Sequence, residues 1–162
     1  MSAVDYFLRI DGIPGESQDA KHKDEIQVLS YSHGASQAGT MAFGGGGGAG
    51  KVQMQDFHFM MCVNKASPKL WLACVTGDHI KSAVLTARKA GKTQVEYEKT
   101  TLTDLMVTSF NENGDAKASS LPVNSVSLTF AQMQIEYKVQ NADGALGAAT
   151  MAKYNLKQMQ SM

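Results

Sequence analysis

The sequence predicts a mostly-β fold: a β-barrel of two sheets with one flanking α-helix over about residues 67–76. Three observations carry that expectation. Apolar and polar residues alternate with period two along most of the chain, as where Val4, Tyr6, Leu8 and Ile10 interleave with Asp5 and Arg9. Only one stretch has helical spacing between recognisable start and stop signals. The apolar parity also changes inside long strand-like runs, as it does where a strand bends round a barrel corner. A chain of 162 residues suffices for one domain with a sizeable core and is short for two, so residues 1–162 read as one domain.

Residues 4–10 open as a strand with one buried face. Residues 11–24 are polar and hold Gly12, Pro14 and Gly15, which reads as a loop with turn chemistry. Strand character returns over 25–33, where Leu29, Tyr31 and His33 share one face and Ser30 and Ser32 the other. Residues 39–50 are of low complexity, with Gly44, Gly45, Gly46, Gly47 and Gly48 consecutive and Gly50 close behind. Glycine is costly to order, so this segment is expected to be a flexible loop. A strand follows over 51–59, carried by Val52, Met54, Phe57 and Phe59; its single parity switch predicts a bulge or a twist.

The helix begins with Ser67 as the capping residue and Pro68 at the first helical position, and Gly77 supplies the stop. Leu70, Trp71, Cys74 and Val75 form its apolar stripe, with Ala66 and Trp71 placed as a hydrophobic staple. At about ten residues it is too short to stand alone and must lie on a sheet. Strands are then predicted over 81–89, 94–110 and 122–139. In the last, the core parity moves from Val126, Leu128 and Phe130 to Met133, Ile135 and Tyr137, which marks a bend. Asn113-Gly114-Asp115 reads as a tight hairpin and Asp143-Gly144 as a turn. A weaker pattern over 151–158 adds a short final strand, for about seven strands and no internal repeat.

Composition narrows the function. Fifteen Lys and Arg balance fifteen Asp and Glu, for zero formal net charge. Nucleic acid as the main partner calls for a cationic excess, and so does an anionic membrane surface; neither partner is expected. Zero charge also removes the self-repulsion that keeps small domains apart, which leaves self-association open. The first residues lack a basic segment and a long apolar run, so no cleavable signal peptide is expected, and no stretch reaches the ~18 apolar residues of a membrane span. Cys62 and Cys74 are too few for a disulfide framework, and a reducing compartment is the default.

Motifs that suggest chemistry have plainer readings. Gly45-x-x-x-x-Gly50-Lys51 follows the phosphate-binding loop pattern until its last position, where Val52 replaces the required hydroxyl. The residues after it alternate as a strand, whereas a phosphate loop opens a helix. His58, Cys62, Cys74 and His79 lack the paired short spacings of a zinc site, and Cys74 on the helix stripe reads as a core residue. No nucleophile elbow is present, since the segment around Ser17 lacks its second glycine. His22 lies in a Lys/Asp-rich loop and reads as exposed, and Asp24 and Glu25 as a solvated surface run. The ten methionines are dispersed and read as gap fillers. No catalytic residue, metal site or cofactor is expected.

Read in order, several segments resemble one family. They are Val4-Asp5-Tyr6-Phe7-Leu8-Arg9-Ile10 running to Gly15-Glu16-Ser17; His22-Lys23-Asp24-Glu25-Ile26 ending in Tyr31-Ser32-His33; and the glycine run leading to Lys51-Val52. Ser67-Pro68-Lys69-Leu70 with Ala73-Cys74, Arg88-Lys89-Ala90-Gly91, and Leu128-Thr129-Phe130-Ala131-Gln132 leading to Tyr137 complete the set. Together they resemble the hemolysin-coregulated protein family, the tube subunits of bacterial type VI secretion systems. His33 departs from the large aromatic residue expected there, and the Met/Gln-rich tail has no counterpart. The resemblance implies a non-enzymatic subunit that forms homo-hexameric rings stacking into a tube. Its implied partners are effector proteins in the lumen, a spike protein at the tip and a surrounding contractile sheath. It also implies cytoplasmic assembly followed by export.

On that footing Ser30, Ser32, Gln132 and Gln134 are candidates for lumen and effector contact, being polar beside core-facing neighbours. Gly44, Gly45, Gly46, Gly47, Gly48 and Gly50 are candidates for an arm that reaches the next ring. Opposite ring faces are expected to carry opposite charge. The alternative reading is a small monomeric β-barrel that encloses a ligand.

Overall fold

The computed structural model describes residues 3–39 and 49–162. The elements are β1 (Val4–Ile10), β2 (Ile26–Val28), β3 (Ser30–Ser32), β4 (Ala35–Gly39), β5 (Ala49–Met54), β6 (Phe57–Cys62), α1 (Ser67–Thr76), β7 (Ile80–Lys89), β8 (Glu96–Asn113), β9 (Val123–Gln140), β10 (Leu146–Asn155) and β11 (Gln160–Ser161). The architecture is mostly β with one helix, as the alternation predicts, but its strands are more numerous than the seven expected.

Pairing runs β11-β10-β9-β8-β7-β1-β2, and β6 joins β3 to the first half of β9. β9 therefore joins the two halves of one hydrogen-bonded nine-stranded sheet, each half acting as a sheet of the fold, while β4 and β5 pair separately. Residues 123–128 pair with β6, while 132–140 pair with β10, and β8 accompanies β9 along both halves. The bend lies where the parity change places it, with Phe130 and Ala131 both buried. On β8 the ladder is interrupted at Asp104, whose φ of 52° is left-handed and which stands opposite Ala131, and the register itself shifts further along, between Val107 and Ser109.

Residues 25–33 do not form the one strand expected. Ile26–Val28 pair with β1 and Ser30–Ser32 with β6, and the chain changes sheet at Leu29. Among the described residues no ladder joins β2 to β3, so at this point only the continuous chain links the two parts of the sheet. The Leu29 amide still donates to the Met60 carbonyl, but its side chain is 55% exposed instead of sharing a face with Tyr31 and His33. Leu29 turns outward because a segment crossing between two sheets cannot keep period-two alternation. Similarly, 51–59 is two strands separated at Gln55 and Asp56, so the parity switch marks a break where a bulge or a twist was predicted. Asn113-Gly114 does not make a tight hairpin. β8 continues through Asn113, paired with Val123, and residues 114–122 form a longer connection. Gly144 does adopt a left-handed turn, φ 88°, between β9 and β10.

The interior is filled by Leu8, Phe57, Phe59, Leu85, Leu102, Leu105, Val126 and Leu128, each at most 2% exposed. Each such burial is worth roughly 1.5–3 kcal/mol relative to exposure, before conformational entropy is counted. α1 covers part of this core through Leu70 and Ala73. Its predicted stripe is rotated in the structure. Trp71 and Val75 are 53% and 58% exposed, and Cys74 is only partly buried.

The cause lies at the helix start. Ser67 is the first helical residue and does not cap the helix; its hydroxyl accepts from the Asn64 amide and donates to Asn124 Oδ1 in the core. This anchor pulls the Ser67–Leu70–Ala73 edge inward. At the other end Gly77 closes the helix in the left-handed conformation expected, its amide donating to the Ala73 carbonyl.

Candidate functional site

Two surfaces hold the polar strand residues that sequence reasoning singled out. The first surface is the outer face of the sheet formed by β3, β6, β9 and β8. Ser30 pairs with Met60, Met60 with Ser125 and Ser125 with Asn111; beside this row, Ser32 pairs with His58, His58 with Ser127 and Ser127 with Ser109. Cross-strand partners share a face, so these eight side chains form one strip. Ser30 and Ser32 are exposed, as expected for them. None of the eight is Lys, Arg, Asp or Glu. His58 is fixed at its centre, with Nδ1 3.1 Å from Ser127 Oγ and Nε2 3.1 Å from Ser125 Oγ. The ring has hydroxyls at both nitrogens and no carboxylate to orient it as a general base, so its chemistry is hydrogen bonding.

Gln132 and Gln134 lie past the bend, on the outer face of the other sheet. They pair with Thr103 and Thr101 on β8, and with Asn155 and Lys153 on β10. Their face also carries Arg9, Lys99 and Glu136. The structure therefore places the serine pair and the glutamine pair on the same barrel exterior but on different sheets.

The buried network is one that sequence reasoning missed. His22 is not exposed: its side chain is 8% accessible and stacks on Phe7, with ring centroids 4.5 Å apart. Its Nδ1 lies 2.9 Å from Glu25 and its Nε2 2.7 Å from Glu96. Glu25, read as part of a solvated run, is itself 13% exposed. The Arg88 guanidinium lies 4.8 Å from the Phe7 ring centroid and donates both to Asp19, at 2.7 and 3.0 Å, and to Asp5. Arg88 holds the Asp19 carboxyl down at about 2, against burial, which pushes the other way. These contacts strap the loop 11–24 onto the outer side of β1 and β7. No periodicity marks a loop residue that folds back on a sheet; the signal available was one His close to acids in a segment rich in turns.

A third cluster surrounds Tyr31. It stacks with Phe57 and His33 and meets Tyr6 edge to face, and its hydroxyl approaches Glu98. Burial first, and then Glu98, push Tyr31 up to about 12. His33, the departure noted in the sequence, stacks on Phe57 at 6.0 Å as a flat side chain of smaller size.

The glycine segment lies mostly outside the described residues: Gly44, Gly45, Gly46, Gly47 and Gly48 do, whereas Gly50 belongs to β5. Lys51 follows in the same strand, paired across to β4, and does not sit at a helix N-terminus. Among the described residues no three His, Cys, Asp or Glu side chains come together as metal ligands. His58 is engaged by two serines and Cys62 is exposed. Among the described residues no helix is long and apolar enough to cross a membrane.

The described residues thus form a mostly-β fold with one helix, a neutral polar strip and a β4–β5 hairpin that pairs apart from the main sheet. The sequence matches the family described as type VI secretion system effector, Hcp, over residues 7–137, and the chain belongs to that family. It is 46% identical to Protein hcp1 of Pseudomonas aeruginosa strain PAO1 over 158 residues, 96% of this chain and 97% of that one. Its structure is similar to that of Hcp1 from Salmonella typhimurium, with TM-score 0.85 and 38% identity over 99% of this chain and 100% of that chain. A solved type six secretion system protein matches with TM-score 0.94 and 25% identity over the same shares.

Proposed function

We propose that this chain is the structural subunit of the inner tube of a type VI secretion machine, working by shape and not by catalysis. Six copies close into a ring, rings stack head to tail, and the passage so formed carries effector proteins. The spike at the tip and the contractile sheath outside are its further partners. Assembly takes place in the cytoplasm, and the subunit leaves with its cargo. The single observation that carries this reading is likeness along nearly the whole chain to Hcp proteins, in sequence and in fold.

The neutral strip suits the lumen. Cargo that must be released needs weak contacts, and hydroxyl and amide groups supply hydrogen bonds without a desolvated charge. We place Ser30 and Ser32 on that wall with His58 and Met60 between them and β9. Gln132 and Gln134 continue the exterior past the bend. A monomeric carrier would need an empty interior, whereas the barrel is filled by Phe57, Phe59 and the leucines around them.

Size-exclusion chromatography with light scattering tests the ring: the expected mass is about six times 17.4 kDa, and a mass near 17.4 kDa sinks the proposal. Ser32→Gln is expected to leave that mass unchanged while lowering co-purification of co-expressed effector. Unchanged co-purification would remove Ser32 from the lumen wall.

A further inference from the structure

The neutral strip has one titratable side chain at its centre, and the two hydroxyls beside it respond to the proton it carries. His58 on β6 lies between Ser127 Oγ, 3.1 Å from Nδ1, and Ser125 Oγ, 3.1 Å from Nε2. All three side chains are half-buried, so they reach the surface without being freely solvated. With a neutral ring, one nitrogen donates to one serine oxygen and the other accepts from the second hydroxyl. With a protonated ring, both nitrogens donate and both serine oxygens accept. The proton comes from solvent, and neither nitrogen loses its partner. Both hydroxyl hydrogens are then free to turn outward beside a new positive charge.

The surroundings leave that charge uncompensated. On the face of His58, β3 contributes Ser30 and Ser32, β8 contributes Ser109 and Asn111, and β6 itself Met60. None of these is ionisable. Tyr31 and His33 turn the other way and stack on the buried Phe57. Glu112 on β8 is engaged by the buried Asn124. Asp56, two residues before His58, accepts from Thr108 at 2.6 Å. Among the described residues the histidine that forms ion pairs is His22, not His58. A half-buried charge without an opposing partner is costly, so a protonated His58 gains from an anion brought to it.

We propose that protonated His58, with the hydroxyls of Ser125 and Ser127, forms a carboxylate-binding site on the strip, and that its partner is an acidic segment of an effector protein. Two outward O–H donors beside an imidazolium match a carboxylate, which only accepts. The choice of partner rests on the reading of the strip as lumen wall; the anion site needs only this chain's own side chains. A ring of six repeats the site six times around one passage, so weak contacts to one acidic segment add up to retention. When the imidazole is neutral the same wall offers hydrogen bonds without charge and lets the segment go. His58 thereby makes the hold on cargo depend on the cargo's charge and on acidity.

The test titrates hexaglutamate, with hexaglutamine as the uncharged control, into the full-length protein by calorimetry at pH 8.0 and 5.5. Histidines in general change charge between these values, and glutamate stays largely ionised at both. Hexaglutamate is expected to bind about tenfold more tightly at pH 5.5, and hexaglutamine equally weakly at both. His58→Gln still bonds to the serines but takes no charge, so the gain on acidification is expected to vanish with the mass in solution unchanged. Ser127→Ala keeps the charge and removes one donor, and is expected to cut the gain to about threefold. A gain that persists in His58→Gln arises at another group and overturns the inference, as does binding that ignores pH. If His58→Gln changes the mass in solution, Ser127→Ala decides, and an undiminished gain there overturns the site. A monomer that shows the His58-dependent gain overturns the proposed function instead and supports the site.

Discussion

His22 and Arg88 show how much a few polar side chains contribute when they fold a loop onto a sheet. His22 bridges Glu25 and Glu96 while lying flat on Phe7, and its removal strands two partly buried carboxylates beside a cavity. His22→Ala is expected to cost about 2–4 kcal/mol in urea unfolding. A change under ~0.5 kcal/mol would mean that the strap holds without it. Asp19 makes a second prediction, in pH. Its carboxyl is lowered from 3.8 to about 2, so the folded state favours the ionised form. The stability it contributes is fully present above pH 3.8 and is lost as pH falls through about 2. The difference in stability between wild type and Asp19→Asn should therefore shrink between pH 4 and 2; a constant difference there would exclude the Arg88–Asp19 pair as its source. Neither network could be read from the sequence, because Asp5, Asp19 and Arg88 meet only after the strands pair.

α1 illustrates the same limit for an element. Its existence, its bounds at Ser67 and Thr76, and its glycine stop follow from local chemistry and hold in the structure. Its orientation does not, because the spacing of Leu70, Trp71, Cys74 and Val75 allows more than one buried edge. The hydrogen bonds of Ser67 with Asn64 and Asn124 select the edge. Leu70→Ala is expected to cost about 2–5 kcal/mol, and Trp71→Ser less than ~1 kcal/mol in the unassembled chain. Equal costs would show that both residues are packed alike. β2 and β3 carry a related lesson: a run of residues 25–33 with strand character is divided between two sheets at Leu29, which no local propensity marks.

For the whole molecule, the proposed ring predicts a link between stability and concentration. A partner that binds only the folded chain raises its apparent stability, so the urea midpoint of this protein should rise with protein concentration. A midpoint independent of concentration over a hundredfold range fits a monomer. Zero net charge is compatible with many copies in contact, since a strongly charged subunit repels its neighbours.

Fold class, the position of the helix, the bend in β9 and the family were legible in the sequence, because each rests on local period, turn chemistry or an ordered set of short segments. The serine pair was legible as an exposed face for the same reason. The tertiary structure decided that Ser30 and Ser32 lie on a different sheet from Gln132 and Gln134, that His22 is buried, and that His58 lies between Ser125 and Ser127. These depend on which distant strands pair and in which register, and a one-residue change of register moves every side chain to the other face.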